Sequence, residues 1–375
     1  MRTPALLLTG LGLLLLSDAA FAEPWLAAYV HMPQCFPASG TPEEREASIG
    51  AVLDDMKRSG LRIILPYAST SAGEAHYPST VIAKRAYGEW DPLGVFVREA
   101  HARGLEVWPA VPMLISGHDA PKGILAEHPE WALRDAKGQA TGYISPGATG
   151  AREWLVSVID EIVTRYQPEG LLLDYLRYPN QPVDFDAETR ARFLQETGRQ
   201  DYDIRDRKDV QLQAFKEECL TELMRAIHEQ LQETRPQVKI GLYTWGAHVS
   251  REHYVAQNWP EWVRRGYLDV VNVSGYCYPK NYGDAYLDEF RKRCRDAAAC
   301  VAHAGRRPTM TFALGVKTSH GEVTSAQEIG VYMKPAREEG MDGLAVFTLS
   351  YLRPYLDAFI EGDSLREFAP AGSRP

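Results

Sequence analysis

Residues 170–179 place an ionisable group at the end of an apolar strand. The segment reads Gly-Leu-Leu-Leu-Asp-Tyr-Leu-Arg-Tyr-Pro. Three consecutive leucines are typical of a strand buried on both faces, as in a parallel sheet. Asp174 follows these leucines at once, and Pro179 stops the strand. Because α/β folds carry their chemistry at the carboxyl ends of strands, we predict a catalytic or ligand-binding Asp174 rather than one that only caps a turn.

Carboxyl groups acting in pairs, one protonated and one ionised, hydrolyse glycosidic bonds. No other predicted strand ends directly in an acid, so a second carboxyl group must come from a loop, and Glu74 is the best candidate. Asp184, Asp186 and Glu188 are weaker alternatives, because acids in such a loop are more often solvated or cap a helix. A third alternative uses one protein acid together with an N-acetyl group of the substrate as nucleophile.

Polar aromatic side chains follow several of the predicted strands. Aromatic rings cover the apolar faces of a sugar, while hydroxyl and charged groups bind its hydroxyls. Tyr and Trp also fill barrel mouths as structural residues, but their number at the strand ends favours a sugar site. The predicted substrate-binding residues are His31, Tyr67, His76, Tyr77, Trp108, Arg177, Tyr178, Trp245, Tyr276, Tyr278 and Lys317.

The predicted catalytic pair is Asp174 and Glu74. The Arg177 guanidinium would orient Asp174 and keep it ionised, because a nearby cation favours the charged form. Glu74, desolvated by Tyr67 and Tyr77, would keep its proton and act as the general acid. These two roles could also be exchanged, and the separation of the carboxyl groups decides between retention and inversion.

Strand and helix patterns alternate along the whole chain. Capping residues precede proline at helix starts, as at Asp91-Pro92. Eight strands alternating with eight helices predict an α/β fold, a (β/α)8 TIM barrel of one domain with long βα loops over residues 23–365. An open doubly wound sheet is the alternative, weakened because no Gly-rich phosphate loop follows the first strand. The predicted strands are 25–30, 61–67, 105–111, 171–174, 239–244, 268–273, 309–314 and 343–349, and the predicted helices are 43–59, 91–103, 150–166, 207–233, 258–265, 284–304, 325–339 and 351–361.

The first 22 residues have the pattern of a signal peptide. Arg2 is followed by an apolar run over residues 6–16 and by Ala20-Phe21-Ala22, a small-x-small cleavage sequence. The apolar run is too short to span a bilayer. We therefore expect export to the periplasm or secretion, with residues 366–375 as a disordered tail.

The composition of the chain indicates which classes of partner it can bind. The chain of 375 residues has a net charge of -9, which argues against nucleic acid and favours a polysaccharide or oligosaccharide substrate. Five cysteines predict at most one or two disulfides, and neither CxxC nor metal-type Cys/His spacing occurs. No metal or cofactor is required by these arguments, and the oligomeric state is left open.

Distinctive short segments lie at 91–93, 99–108, 128–131, 145–147, 170–179, 258–262, 266–269, Tyr276 and 315–317. Together, these segments resemble the glycosyl-hydrolase-like 10 family of exported bacterial proteins. The resemblance implies a barrel, activity on a cell-wall or extracellular glycan such as peptidoglycan strands, and an acid at the position of Glu74. Leu172, Tyr175 and the segment 241–243 depart from the usual family residues.

Two functions from different classes remain. The first is an exported glycoside hydrolase with a carboxylate pair. The alternative is a catalytically inactive glycan-binding or cell-envelope assembly protein on the same barrel, since only one predicted strand ends in an acid and fold alone does not decide activity.

Overall fold

A computed structural model describes residues 23–368, and the predicted signal peptide lies outside the described residues. Its strands follow the predicted apolar runs closely, and two of them match residue for residue. The strands are β1 (Trp25–Val30), β2 (Ile63–Pro66), β3 (Glu106–Val107), β4 (Ala110–Pro112), β5 (Ile115–His118), β6 (Ala132–Arg134), β7 (Ala140–Ile144), β8 (Gly170–Asp174), β9 (Lys239–Thr244), β10 (Val270–Ser274), β11 (Thr309–Gly315) and β12 (Gly343–Phe347).

Nine strands form one parallel sheet in the order β3-β2-β1-β12-β11-β10-β9-β8-β4. The single strand predicted over 105–111 is two segments, because Trp108-Pro109 interrupts it and proline cannot donate to the ladder. β3 pairs with β2, while β4 pairs with β8 and is bridged to Tyr67 beyond β2. The interrupted third strand thus joins the two edges of the sheet, and the predicted (β/α)8 TIM barrel is confirmed.

Helices cover the outside of this barrel. Thr41 caps the first helix with a capping box, and the Asp91 side chain accepts from the backbone N–H of Gly94 at 2.8 Å. The helix predicted over 325–339 is two short helices. The helices are α1 (Pro42–Arg58), α2 (Pro92–His101), α3 (Ile124–Glu127), α4 (Thr149–Tyr166), α5 (Ala187–Thr197), α6 (Val210–Thr234), α7 (Val249–Glu252), α8 (Trp259–Arg264), α9 (Pro279–Tyr282), α10 (Tyr286–Val301), α11 (Ala326–Gly330), α12 (Met333–Glu338), α13 (Leu349–Leu352) and α14 (Leu356–Glu361).

Several elements of the long βα loops were not predicted, among them a small sheet and the helix α5. β5, β7 and β6 form a small antiparallel sheet between β4 and α4. The helix α5 follows β8, and the Asp186 side chain caps it by accepting from the backbone N–H of Thr189 at 3.0 Å. Asp186, one of the alternative acids, therefore has the structural role of a helix cap.

The barrel interior is packed at its amino-terminal end. The rings of Trp25 and Trp108 meet edge to face with centroids 5.5 Å apart. A Cβ added at Gly170 would lie 2.5 Å from the Trp108 ring, so only glycine leaves room for this indole. The carboxyl-terminal end is therefore the open end of the barrel. The buried residues of the interior cluster are Trp25, Ala27, Tyr29, Ile63, Leu65, Tyr67, Trp108, Ala110, Leu172, Val270 and Ala345.

All five cysteines are free thiols in this structure, and four of them are buried. The residues from Arg366 to Phe368 form a 3-10 turn with Phe368 buried, so these three residues do not belong to the expected disordered tail. Residues 369–375 lie outside the described part of the chain. Over the described range 23–368, no helix is both long and apolar enough to cross a bilayer.

Candidate active site

Asp174 ends β8 at the open end of the barrel, and it is 7% exposed. The Tyr67 hydroxyl donates to its Oδ2 at 2.8 Å. The backbone N–H of Tyr175 donates to its Oδ1 at 2.8 Å. The Tyr67 hydroxyl, just after β2, and the backbone N–H of the next residue therefore hold this carboxyl group in one orientation.

Burial dominates the electrostatics of Asp174. It raises the pKa of the carboxyl group, although the hydrogen bonds from Tyr67 and Tyr175 and the nearby Arg177 cation each lower it. Arg177 acts in the predicted direction, because its cation lowers the pKa of Asp174, but desolvation has the larger effect. Asp174 in turn raises the pKa of the surrounding tyrosine hydroxyls, which burial has already raised: Tyr29, Tyr67, Tyr175 and Tyr243.

The backbone turns sharply after Asp174. Tyr175 has φ of 52°, in the left-handed region that bulky residues rarely adopt. This turn brings the Tyr175 ring under the Arg177 guanidinium at 5.0 Å, while the Trp245 ring lies 4.3 Å from the same group. Strained backbone that persists beside a buried carboxyl group is common at functional sites.

Asp174 lies in a cavity of about 810 Å³. The cavity size falls in the range of small-molecule sites. Its walls combine aromatic rings with many polar and charged side chains. Seven predicted residues line this cavity: Asp174, His31, Tyr67, His76, Arg177, Trp245 and Tyr276.

His76 lines this cavity with a ring that is held in place through one nitrogen. Its Nδ1 lies 2.7 Å from the backbone carbonyl oxygen of Tyr67, so Nδ1 carries the proton that it donates. Its Nε2 is buried and has no hydrogen-bond partner among residues 23–368. Burial lowers the pKa of His76, which keeps the ring neutral and Nε2 able to accept.

Glu74 does not line the cavity, contrary to the prediction. Its carboxylate forms an ion pair with Lys84. Its backbone carbonyl accepts from the N–H of Thr70 at 2.9 Å, within a turn of the loop after β2. Glu74 is thus paired with Lys84 and is not among the residues that line the cavity with Asp174.

Tyr77 also has a structural role instead of the predicted one. Its hydroxyl donates to Glu161 Oε2 of α4 at 2.9 Å. The backbone N–H of Thr80 donates to Glu161 Oε1 at 2.6 Å, and the Ser79 hydroxyl donates to Oε2 at 2.5 Å. Glu161 therefore anchors the loop after β2 to the outside of the barrel.

Four further predicted contacts lie away from the main cavity. Trp108 belongs to the packed end of the barrel, where its Nε1 donates to Glu106 Oε2 at 3.1 Å. Tyr178 is buried outside the barrel under α6. The Tyr278 hydroxyl donates to the carbonyl of Gly315 at 2.9 Å. Lys317 lies in a smaller neighbouring cavity. The first three residues pack the fold, because their side chains point away from the opening.

Several lining residues were not among the predicted contacts. Tyr29, Tyr243 and Ser274 share the inward register of their strands with residues of the interior core, and this alternation was a usable signal. Arg293 belongs to α10, and its Nη1 donates to the carbonyl of Ser274 at 3.3 Å. Arg293 could not be predicted, because the local sequence of a helix does not indicate that the helix covers the edge of a barrel. Further lining residues are Tyr175, His248, His253, Tyr282, His320 and Phe347.

Three further acids line the cavity, toward its edge. Glu289 lies 3.5 Å from the Arg293 guanidinium, and Asp296 lies 3.0 Å from the Lys292 ammonium. Glu252 is exposed. Asp174 is therefore the one buried carboxyl group among the described residues that line the cavity. The described part of the chain also contains no cluster of His, Cys, Asp or Glu side chains that could hold a metal ion.

Known proteins share this architecture. The glycoside hydrolase domain of PgaB (BpsB) from Bordetella bronchiseptica superposes with a TM-score of 0.69 at 16% identity, covering 94% of this chain and 100% of that domain. An α-L-fucosidase isoenzyme from Paenibacillus thiaminolyticus gives a TM-score of 0.63 at 13% identity, covering 92% of this chain and 50% of the fucosidase. At these identities the likeness concerns the fold alone.

Sequence relatives agree with the fold. Glycosyl hydrolase YngK of Bacillus subtilis is 23% identical over 294 residues, which are 72% of this chain and 51% of YngK. Glycosyl hydrolase DigH of Escherichia coli K12 is 25% identical over 170 residues, which are 39% of this chain and 37% of DigH. The chain thus spans about half or less of these curated relatives. A family model described as glycosyl hydrolase-like 10 matches residues 28–297, so the chain belongs to this family.

Proposed function

We propose that this protein is an exported glycoside hydrolase that cleaves a cell-wall or extracellular glycan, with peptidoglycan strands as the substrate. One observation carries the proposal: a buried carboxyl group, Asp174, lies in an aromatic cavity at the carboxyl-terminal end of a barrel. The family membership and the glycosidase fold of the structural neighbours support it.

In this proposal Asp174 is the general acid. Its raised pKa favours the protonated form that an acid needs before it protonates the leaving oxygen. Oδ1 accepts from a backbone N–H, so the proton belongs on Oδ2, which faces the Tyr67 hydroxyl. That hydroxyl can donate to the carboxylate or accept from the acid, and it can therefore stabilise both protonation states.

The nucleophile in this proposal is the 2-acetamido group of the substrate. Glu74 is paired with Lys84, and the other lining acids lie toward the cavity edge, which favours a single protein acid. The acetamido oxygen attacks the anomeric carbon while the leaving oxygen takes the Asp174 proton. Water then opens the oxazolinium ring and returns a proton to Asp174. The net reaction is hydrolysis with retention.

The test uses the mature chain, residues 23–375, and its Asp174→Asn variant. Both are incubated with peptide-free peptidoglycan strands and with the same strands after de-N-acetylation, and products are identified by mass spectrometry. We expect new reducing ends only from the wild type and only from N-acetylated strands. Equal cleavage of the de-N-acetylated strands would remove the substrate's acetamido group from the mechanism.

A glycan-binding protein without catalysis is the second candidate function. The absence of Glu74 from the cavity favours it, because most glycosidases use two carboxyl groups. Under this alternative, wild type and Asp174→Asn retain the same strands in a pull-down, and neither protein releases products.

Export is a separate proposal that rests on the pattern of residues 1–22. Expression of the full chain in a Gram-negative host should yield a periplasmic protein whose amino terminus is Glu23. A cytoplasmic protein that retains residues 1–22 would overturn it.

A further inference from the structure

A second cavity of about 510 Å³ adjoins the one that contains Asp174. The two cavities share five lining residues, so one ligand can extend through both. Gln34, Lys317 and Tyr351 line only the second cavity, which we call the outer pocket. The shared residues are His31, Pro33, Thr318, Ser319 and Phe347.

Phe347 lies at the boundary of the two cavities as a fixed aromatic surface. Its ring centroid lies 5.4 Å from that of Tyr29, 5.6 Å from His31 and 6.0 Å from Tyr276. The ring is half-buried, so part of it faces the open space. An aromatic ring held in this way can cover the apolar face of a sugar on either side of the boundary.

The outer pocket also supplies oriented polar groups. The Gln34 Oε1 accepts from the hydroxyls of Ser350 and Thr348, which fixes the amide and leaves its NH₂ group free to donate. The Lys317 Nζ lies 3.2 Å from Glu322 Oε2 in an exposed ion pair. Exposed pairs are weak, so this ammonium group can exchange Glu322 for a ligand hydroxyl.

We propose that the outer pocket binds an additional sugar unit of a glycan chain whose reacting bond lies at Asp174. This inference rests on the proposed function and deepens it. The main cavity alone has the size of a site for a small ligand. The second cavity is contiguous with it and offers an aromatic boundary and hydroxyl-binding groups. The two cavities together should therefore bind a glycan chain that continues past the reacting bond more tightly than a short terminal fragment.

The test measures affinity against chain length in the Asp174→Asn background, which prevents turnover. A ladder of peptide-free peptidoglycan oligosaccharides, from disaccharide to octasaccharide, is titrated by calorimetry. We expect Kd to fall as added units reach the outer pocket. Lys317→Ala and Tyr351→Ala should each weaken the longest oligosaccharides about fivefold, the value of one hydrogen bond, and leave the disaccharide unchanged.

Lys334→Ala is the matched control, because Lys334 is similarly exposed in an ion pair with Glu338 but lines neither cavity. It should leave the whole ladder unchanged. The outer pocket is ruled out if long oligosaccharides bind Lys317→Ala and Tyr351→Ala as tightly as the parent, or if all lengths weaken equally. Failure of every oligosaccharide to bind the parent would contradict the proposed glycan substrate as well.

Discussion

The two ends of the barrel interior differ in content although the same strands build both. At the packed end, the rings of Trp25 and Trp108 meet edge to face, and Trp108 fills the space above Gly170. At the open end, the same inward register presents Tyr29 four residues after Trp25, and Asp174 two residues after Leu172. The position of an inward-facing residue along its strand therefore decides whether it belongs to the core or to the candidate site.

The packed and open ends of the barrel also contribute differently to the stability of the fold. Residues at the packed end stabilise the fold by burial and tolerate no added atoms. Asp174 at the open end instead lowers stability when it ionises, because burial raises its pKa. Substitutions at the two ends should therefore have opposite consequences.

The largest expected effect is loss of turnover in Asp174→Asn. Removal of a general acid should lower kcat/KM about 10²–10⁴-fold, as measured by reducing-end release from peptidoglycan strands. Asparagine keeps the acceptor for the N–H of Tyr175 but cannot supply the proton. Unchanged turnover would remove Asp174 from the chemistry.

The stability of this variant provides the control. The pKa of Asp174 is higher in the folded than in the unfolded chain, so ionisation destabilises the fold as pH rises through the folded value. Asp174→Asn should consequently be at least as stable as wild type at pH 7, and the advantage should vanish below the unfolded pKa. Urea denaturation at the two pH values measures both.

Gly170→Ala at the packed end should have the opposite effects, with lower stability and unchanged turnover. Its Cβ would lie 2.5 Å from Trp108 Cδ2, and overpacking of this kind costs about 1–3 kcal/mol. Urea denaturation should reveal the loss, while kcat of the folded fraction stays near the wild-type value. Gly330→Ala, where the added Cβ meets open space, is the control and should not destabilise the protein.

A smaller effect is expected for Tyr67→Phe. The hydroxyl of Tyr67 lowers the pKa of Asp174, so its removal should raise that pKa further. The rate falls on the alkaline side as Asp174 ionises, and this limb of the pH–rate profile should move to higher pH. A limb that moves to lower pH would contradict the assignment of Asp174 as the acid.

The smallest effect is expected for Tyr178→Phe. The Tyr178 hydroxyl is buried, has no hydrogen-bond partner among residues 23–368, and does not reach the cavity. The change should leave kcat/KM unaltered and alter the free energy of unfolding by less than about 1 kcal/mol. Tyr276→Phe is a useful comparison, since Tyr276 lines the cavity.

Most of the barrel could be predicted from apolar periodicity and helix capping. The runs at Trp25–Val30 and Lys239–Thr244 are buried strands bounded by clear breaks. The missed elements lack such signals: β5, β6 and β7 are only three to five residues long, and α5 is rich in charged residues. Tertiary pairing, rather than local sequence, forms these segments.

The candidate site was less predictable, because alternation fixes side-chain direction only within a strand. Tyr243 in β9 and Ser274 in β10 keep the inward register of their strands, and both line the cavity. Beyond a strand the register is lost: Tyr175 turns inward through its positive φ, while Tyr278 turns outward to Gly315. The direction of Glu74 likewise depends on the fold of a whole loop.

The five free thiols determine how the folded chain responds to oxidising conditions. Burial raises the pKa of Cys35 and Cys219 to about 12 and that of Cys277 to about 11, and it raises the pKa of Cys294 and Cys300 as well. Oxidation proceeds through the thiolate, which is therefore scarce at neutral pH. The fold neither needs a disulfide nor readily forms a wrong one. It should tolerate oxidising and reducing surroundings equally well, with half-buried Cys300 as the most reactive thiol.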